Sequence, residues 1–152
     1  MALQKLVFGF RHAIEIAKAN GEDGYFFRKF PTGQCGAASD MLAQYLIDHG
    51  YSHITYVNGT LYSNAPSESR CHTWLEVKGL VVDITGDQFK YDEKPLQYDI
   101  PVYIGPMTAY YQQFEVLPGG TYEHFGLDKS CSNYYDLKKW YKTIMYYLST
   151  VF

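Results

Sequence analysis

The spacing of apolar residues along the chain predicts three helices. Apolar side chains recur every three or four positions over residues 3–19, 35–49 and 135–148, which places them on one face of each helix. A Gly closely follows each of the first two runs, and Gly suits the left-handed conformation that ends a helix. Residues 21–34 are expected to form a loop with an aromatic patch.

Between the second and third helices the pattern changes from helical to alternating, which predicts strands. Residues 53–62 are expected to form one strand, with a bend or bulge at Asn58-Gly59. Residues 71–77 alternate sharply, and Lys78-Gly79 makes a tight turn into a returning strand over residues 80–84. Residues 90–120 hold four of the six prolines, so one or two strands among long loops are expected there.

Length and composition predict a single globular domain over residues 1–152. Hydrophobic residues make up 47% and charged residues 19%, which argues against a disordered chain. Aromatic residues reach 18%, with sixteen tyrosines. Because Tyr joins an apolar ring to a hydroxyl, it suits half-buried groove walls and contact surfaces. The alternative is a compositional habit of the source genome.

The charge pattern argues against nucleic-acid and membrane partners. The net charge is −3, from 13 basic and 16 acidic residues, and no Lys/Arg block is present. The N-terminal segment lacks the uninterrupted apolar run of a signal peptide, and no stretch approaches the ~20 apolar residues of a membrane span. A cytoplasmic protein is expected, in the cell that makes it or in one to which it is delivered. The sequence carries no signal for an oligomeric state.

Cysteine usage leaves room for one reactive thiol. The chain has three cysteines, Cys35, Cys71 and Cys131, and an odd number at wide spacing is a poor disulfide framework. The lack of a CxxC pair argues against zinc, and no metal or organic cofactor is expected. Cys71 is expected to be a core residue, and Cys131 has no predicted chemistry.

Cys35 lies at the predicted start of the second helix and is the candidate nucleophile. A cysteine attacks as the thiolate, and the N–H groups and dipole at a helix N-terminus favour that form. The amide of Cys35 could also bind an oxyanion, and small residues at positions 36–38 leave room for a substrate. The alternative is a buried structural cysteine at a helix start.

His72 and Asp83 lie on the two strands of the predicted hairpin. His72 can take the thiol proton and later return it to the leaving amine. Asp83 interrupts an apolar strand, where a buried carboxylate needs a partner, and the short turn brings it beside His72. The sequence therefore predicts a Cys35–His72–Asp83 triad. Alternatively, His72 is a hydrogen-bonded strand residue and Asp83 caps the turn at Thr85-Gly86.

Three short motifs in this order resemble the transglutaminase-like branch of the papain-like cysteine peptidase superfamily. They are Gly33-Gln34-Cys35, His72-Thr73-Trp74-Leu75-Glu76 and Val81-Val82-Asp83-Ile84-Thr85. The resemblance spans about residues 30–90. It implies an α+β fold in which the nucleophile helix packs on a small antiparallel sheet, flanked by helices from both termini.

The resemblance also implies a function, namely hydrolysis of a peptide or carboxamide bond in a protein or peptide through a thioester. Small bacterial relatives include peptidases, deamidases and amidases, which suggests a bacterial or phage effector. Glutamine deamidation or transglutamination at the same site is an alternative outcome. A second alternative is a non-catalytic protein-binding module that keeps the scaffold and uses its Tyr-rich surface.

Other residues have weaker claims to a role. Gln34, Trp74 and Gln88 are candidates for substrate or oxyanion contacts, and Gln88 is also a reserve for the orienting role of Asp83. The plainer alternatives are that Trp74 packs under the helix and that Gln88 is a solvated loop amide. His124 is a weaker candidate base because no strand pattern surrounds it. A zinc site is a further alternative, but its candidate ligands are poorly spaced in the sequence. They would be Cys35, Cys71, His72 and Cys131.

Overall fold

The structure is a computed structural model that describes residues 2–151, and its fold is α+β. Within that range the helices are α1 (Ala2–Ala19), α2 (Tyr25–Lys29), α3 (Cys35–Asp48), α4 (Ala109–Gln112) and α5 (Tyr134–Val151). The strands are β1 (Ile54–Leu61), β2 (Arg70–Val77), β3 (Leu80–Asp83), β4 (Tyr103–Gly105) and β5 (Thr121–His124). Short 3-10 turns cover Pro66–Glu68 and Gly86–Tyr91. The α+β class and the three long helices agree with prediction.

One antiparallel sheet carries the strands in the order β4-β3-β2-β1-β5. β2 and β3 form the predicted hairpin, in which Leu75 lies opposite Val82. Lys78 and Gly79 adopt φ values of 54° and 77° in the connecting turn. Positive φ at both central positions is typical of the turn whose twist matches a two-residue hairpin.

The expected bend or bulge at Asn58-Gly59 is wrong, because both residues pair in continuous register with Thr73 and His72 of β2. Gly59 is instead required by a close approach. A Cβ atom at this position would lie 2.8 Å from the Cβ of Phe114. The missing side chain therefore lets the segment that contains Phe114 pack directly on β1.

The main core lies between the long helices and one face of the sheet. α1 buries an apolar stripe that includes Phe10 and Ile14, and α3 packs on β2 through residues such as Leu42. Full burial of a side chain of this size contributes about 1.5–3 kcal/mol relative to exposure. None of the helices within residues 2–151 has both the length and the apolar character that a membrane span requires.

The aromatic patch between α1 and α3 contains the short helix α2, where a loop was expected. Phe26 and Phe27 of α2 are buried, and the ring of Phe26 stacks on that of Trp140 with centroids 5.6 Å apart. The burial of these rings against α5 explains why one helical turn forms within a segment that lacks helical periodicity.

A second, smaller core lies on the opposite face of the sheet. It contains Val57, Trp74, Val81, Phe89, Tyr111 and Phe114. Successive strand residues point to opposite faces, so Trp74 belongs to this core and its neighbour Leu75 to the main one. Residues 90–120 supply much of the cover, with β4, α4 and a single bridge between Thr60 and Glu115. The expectation of one or two strands in this segment is confirmed.

A buried bidentate ion pair joins α1 to the 3-10 turn that follows β3. Arg11 Nη1 and Nη2 donate to the two carboxylate oxygens of Asp87 at 2.9 and 3.0 Å. Arg11 Nη1 also donates to the backbone carbonyls of Ile84 and Pro101. Because each charge is matched by a partner in a buried site, the pair holds residues 84–88 against α1.

Removing one member of this pair is expected to destabilise the protein strongly. Arg11→Met leaves the Asp87 carboxylate buried without its partner, and the expected loss is about 3–5 kcal/mol in the free energy of unfolding. Urea denaturation followed by circular dichroism measures this loss. Lys94→Met is the control, because it removes only an ion pair to the exposed Glu68, which is worth about 0–1 kcal/mol. Equal effects of the two substitutions would contradict the prediction.

Candidate active site

Cys35 is the first residue of α3, as predicted, and its side chain is partly exposed. Gln34 occupies the N-cap position without a side-chain capping hydrogen bond, and the first turn carries no acidic residue. The N–H groups of that turn have no partner within the helix, so they are free to interact with a negatively charged group. The helix start thus provides a suitable environment for a thiolate.

The protonation of the thiol is controlled by two neighbouring side chains. Burial raises the pKa of Cys35, but the hydrogen bond and positive charge of His72, with a hydrogen bond from Gln88, outweigh it. The pKa of Cys35 is consequently lowered below that of an ordinary thiol. The structure therefore brings Cys35 and His72 into contact, as the sequence predicts.

Asp83 binds the far side of the His72 ring. The distance from His72 Nε2 to Asp83 Oδ2 is 2.7 Å, and the two residues are 0% and 2% exposed. Burial lowers the pKa of His72, but the charge and hydrogen bond of Asp83 and the contact with Cys35 raise it overall to about 9. Burial likewise raises the pKa of Asp83, and the charge of His72 reverses the shift and lowers it. The three predicted residues thus form one line of contacts.

The Asp83 carboxylate is satisfied by groups that the sequence did not indicate. Its Oδ1 accepts from the backbone N–H of Thr85 at 2.9 Å, and its Oδ2 accepts from the hydroxyl of Tyr111 at 2.8 Å. Tyr111 lies on α4, 28 residues further along the chain. The Thr85 contact resembles the turn-capping alternative, so Asp83 caps its own turn and binds His72 at the same time.

Gln88 lies on the other ring nitrogen of His72. The backbone N–H of Gly33 donates to Gln88 Oε1 at 3.1 Å, which identifies the opposite end of the amide as Nε2. That Nε2 lies 2.7 Å from His72 Nδ1, the ring nitrogen that Asp83 does not bind. Gln88 is 2% exposed, so the alternative of a solvated loop amide is wrong. Asp83 thus lies on Nε2 and Gln88 on Nδ1, and the orienting role predicted for Asp83, with Gln88 in reserve, stays a prediction.

Aromatic rings enclose His72. The centroids of Trp74, Phe89 and Phe114 lie 5.5, 5.8 and 5.5 Å from that of His72, and Tyr110 lies at 6.1 Å. Trp74 is buried in the second core and not under α3, since it points to the face opposite the main core. Its predicted contact with a substrate, like that of Gln34, stays a prediction.

The remaining cysteines lie outside this site. Cys71 is exposed, so the expectation of a core residue is wrong: it points away from His72, but at that end of β2 the other face is not covered. Cys131 lies in the segment before α5. Among residues 2–151, no group of three or more His, Cys, Asp or Glu side chains is placed to bind a metal ion, so the zinc site is not assembled.

His124 has a different environment from the one expected. It lies on β5, which pairs with β1, although no strand pattern surrounds it in the sequence. Its Nε2 lies 2.8 Å from Asp40 Oδ1, and its Nδ1 accepts from the backbone N–H of Gly126 at 3.0 Å. Both ring nitrogens are therefore occupied, which argues against His124 as the base for Cys35.

Cys35 is expected to react with iodoacetamide at mildly acidic pH. An ordinary thiol with a pKa of about 8.5 is on the order of 0.3% thiolate at pH 6, whereas the lowered pKa of Cys35 keeps more thiolate present there. Cys35 should thus be alkylated at least about tenfold faster than the exposed Cys71, as measured by peptide mass spectrometry. His72→Gln should move the rise in Cys35 reactivity to higher pH. Equal alkylation rates at Cys35 and Cys71 at pH 6 would contradict the lowered pKa of Cys35.

Tyr111→Phe is expected to lower the stability by about 1–3 kcal/mol, because it leaves the buried carboxylate of Asp83 without one of its donors. Urea denaturation measures the effect. Tyr103→Phe is the matched control, because its hydroxyl donates to the carbonyl of Pro106 at an exposed position and its loss should cost about 0.5 kcal/mol or less. A loss for Tyr111→Phe as small as that of the control would refute the role given to its hydroxyl.

A scan against protein-family models finds no match, and neither does a search of curated proteins or of solved structures.

Proposed function

We propose that this protein is a cysteine-dependent acyl-transfer enzyme with a papain-like core, which hydrolyses a peptide or carboxamide bond in a protein or peptide. The observation that carries the proposal is the buried line of contacts from Asp83 through His72 to Cys35 at the start of α3. A lowered cysteine pKa beside a raised histidine pKa favours a thiolate–imidazolium pair near neutral pH. The packing of α3 on β2 is compatible with a papain-like core.

In the proposed first half-reaction the Cys35 thiolate attacks the carbonyl carbon, and the carbonyl oxygen becomes an oxyanion. The first-turn N–H groups of α3 are the nearest donors for that charge. The C–N bond then breaks, and protonated His72 Nδ1 gives its proton to the leaving amine or ammonia. A thioester on Cys35 and a neutral imidazole remain.

In the second half-reaction water attacks the thioester. His72 Nδ1 takes a proton from the water, the C–S bond breaks, and the acid leaves with the thiolate–imidazolium pair restored. Asp83 keeps the proton on Nε2 throughout, because its carboxylate accepts from that nitrogen at 2.7 Å. An amine in place of water would give cross-linking through the same thioester.

Gln88 has a proposed role within this cycle. Its amide donates to Nδ1 when His72 is neutral, and it must release that nitrogen when Nδ1 carries a proton. The hydrogen bond that Gln88 offers to Cys35 then becomes available to the thiolate. The amide thus alternates between the two partners as the proton moves.

A non-catalytic protein-binding module is the second candidate function. The observation that favours it is the complete burial of His72, together with the Gln88 amide on the nitrogen that would move the proton. A histidine that is fully buried and hydrogen-bonded on both ring nitrogens is also expected where the polar network only stabilises the fold. Reactivity of Cys35 separates the two candidates, because a stabilising network does not require a thiolate.

The proposed activity predicts products from the peptides of denatured casein. Wild-type protein should yield cleaved peptides, or peptides in which a glutamine gains about 1 Da, or adducts with an added biotinylated alkylamine. Acid quenching should leave an acyl group on the Cys35 peptide. Cys35→Ala should lower product formation by about 10³-fold or more, as expected for loss of a nucleophile. Mass spectrometry measures all of these products.

Cys71→Ala is the matched control and should retain full activity, since its side chain is exposed and outside the site. Product formation that is the same in wild type and Cys35→Ala would overturn the proposed function. Cleavage, deamidation and cross-linking are distinguished by the mass of the product.

A further inference from the structure

A cavity of about 320 Å³ lies against the N-terminal turns of α3, beside the candidate nucleophile. Its wall on α3 is formed by Gly36, Ala37 and Asp40, and the opposite walls by Tyr56, Tyr122 and the loop of residues 130–133. Gly36 follows Cys35 directly, and a Cβ atom on Gly36 would lie 3.3 Å from the Tyr56 hydroxyl. Cys131 is also among the residues that line the cavity. The cavity therefore begins at Gly36, the residue that follows Cys35 on α3.

The carboxylate of Asp40 gives this cavity a negative charge. Its Oδ1 lies 2.8 Å from His124 Nε2, a contact that would be an ion pair if His124 were protonated. The backbone N–H of Gly126 donates to His124 Nδ1, however, so that nitrogen carries a lone pair and the proton resides on Nε2. In this geometry His124 donates from Nε2 to Asp40 and thereby orients the carboxylate.

Within residues 2–151, no Lys or Arg side chain forms an ion pair with Asp40. None of the residues that line the cavity is Lys or Arg, and the ion pairs among residues 2–151 give Asp40 only His124 as a partner. Burial and the negative charge of Asp40 together raise the pKa of Tyr122 to about 12. A carboxylate in a cavity without a basic side chain favours a ligand that brings a positive charge.

Two aromatic rings form the wall opposite Asp40. Tyr56 and Tyr122 stack with centroids 4.7 Å apart and an interplanar angle of 23°. Tyr122 is 49% exposed, so the pair extends from the buried end of the cavity to solvent. Aromatic faces attract an ammonium or guanidinium group, and the attraction strengthens when a carboxylate is close by.

We infer that this cavity is a subsite for a positively charged side chain of the substrate, held between Asp40 and the Tyr56–Tyr122 pair. The inference rests on the proposed function, since it assigns the subsite to the substrate of Cys35. A Lys or Arg side chain next to the reactive carbonyl would occupy it and place that carbonyl at the thiol. The proposed substrate class is therefore a basic peptide or a basic segment of a protein.

The charge preference of the subsite can be measured without a substrate. Methanethiosulfonate reagents modify thiols and exist as a matched set, in which an ethyl group carries a trimethylammonium, a hydroxyl or a sulfonate. Every chain in this experiment carries Cys131→Ser, because Cys131 lines the cavity and its own modification would fill it. The rate at Cys35 is divided by the rate at the exposed Cys71 of the same chain, and peptide mass spectrometry measures both rates. The cationic reagent should modify Cys35 about tenfold faster than the neutral one, and the anionic reagent should be slowest.

Asp40→Asn should reduce the cationic preference to about twofold or less, while Asn still accepts the hydrogen bond from His124. Glu123→Gln is the matched control, because it also removes one negative charge, in this case from β5. The side chain of Glu123 points to the sheet face opposite Tyr122 and pairs with His53. This control should keep the tenfold preference. An unchanged Cys71 rate and circular dichroism spectrum verify that each variant is folded.

The same cationic preference in Asp40→Asn as in wild type would overturn the inference, as would its absence in wild type. This result is independent of the test of function. If Cys35 forms an acyl-enzyme but shows no preference for the cationic reagent, the subsite is contradicted and the proposed activity is supported. If Cys35 prefers the cationic reagent but forms no acyl-enzyme, the subsite is supported and the proposed activity is contradicted.

Discussion

The buried charge of Asp83 is the constraint on which the rest of this structure depends. An isolated carboxylate in such a position would be too costly, so the fold must supply donors for it. They come from separate segments: His72 on β2, the backbone of Thr85 after β3, and Tyr111 on α4. The hairpin alone cannot satisfy the group. The second core, which encloses His72 and Asp83 in aromatic rings, strengthens each of these hydrogen bonds by excluding water.

The Arg11–Asp87 pair extends the same network to α1. It fixes the start of the 3-10 turn, and Gln88 follows on that turn in a position from which it reaches both Gly33 and His72. One side chain of α1 thus controls, through Asp87, the position of an amide that contacts the candidate site. Because residues 81–89 are all buried, this segment behaves as part of the core and not as a surface loop.

The features that could be predicted from the sequence are those encoded by local spacing. Alternation identified the hairpin, the Lys78-Gly79 turn fixed its register, and the helix pattern gave the start of α3 at Cys35. Those elements bring Cys35, His72 and Asp83 together. Residues that act across the chain have no such signal, since no periodicity links Arg11 to Asp87 or Tyr111 to Asp83.

Two incorrect expectations have the same physical origin. Alternation gave the side of the strand on which Cys71 lies, but it did not reveal that this end of the strand is uncovered. The Asn58-Gly59 pair is typical of a turn or bulge, yet Gly59 is required by the approach of Phe114, which is distant in sequence. A local pattern specifies an element, whereas its cover depends on packing between distant segments. Membership of the papain-like superfamily stays a prediction for the same reason, because three short motifs specify a site and not the whole of a fold.

The burial of His72 and Asp83 limits the directions from which Cys35 can be reached. His72 and Asp83 are closed off by the second core, and Cys35 is the only one of the three that is partly exposed. A carbonyl group must therefore approach along the start of α3, past Gly36, where any side chain would meet the hydroxyl of Tyr56. The absence of a side chain at Gly36 keeps that approach open. Under the proposed function, Gly36 therefore allows a substrate to reach Cys35 although His72 is fully buried.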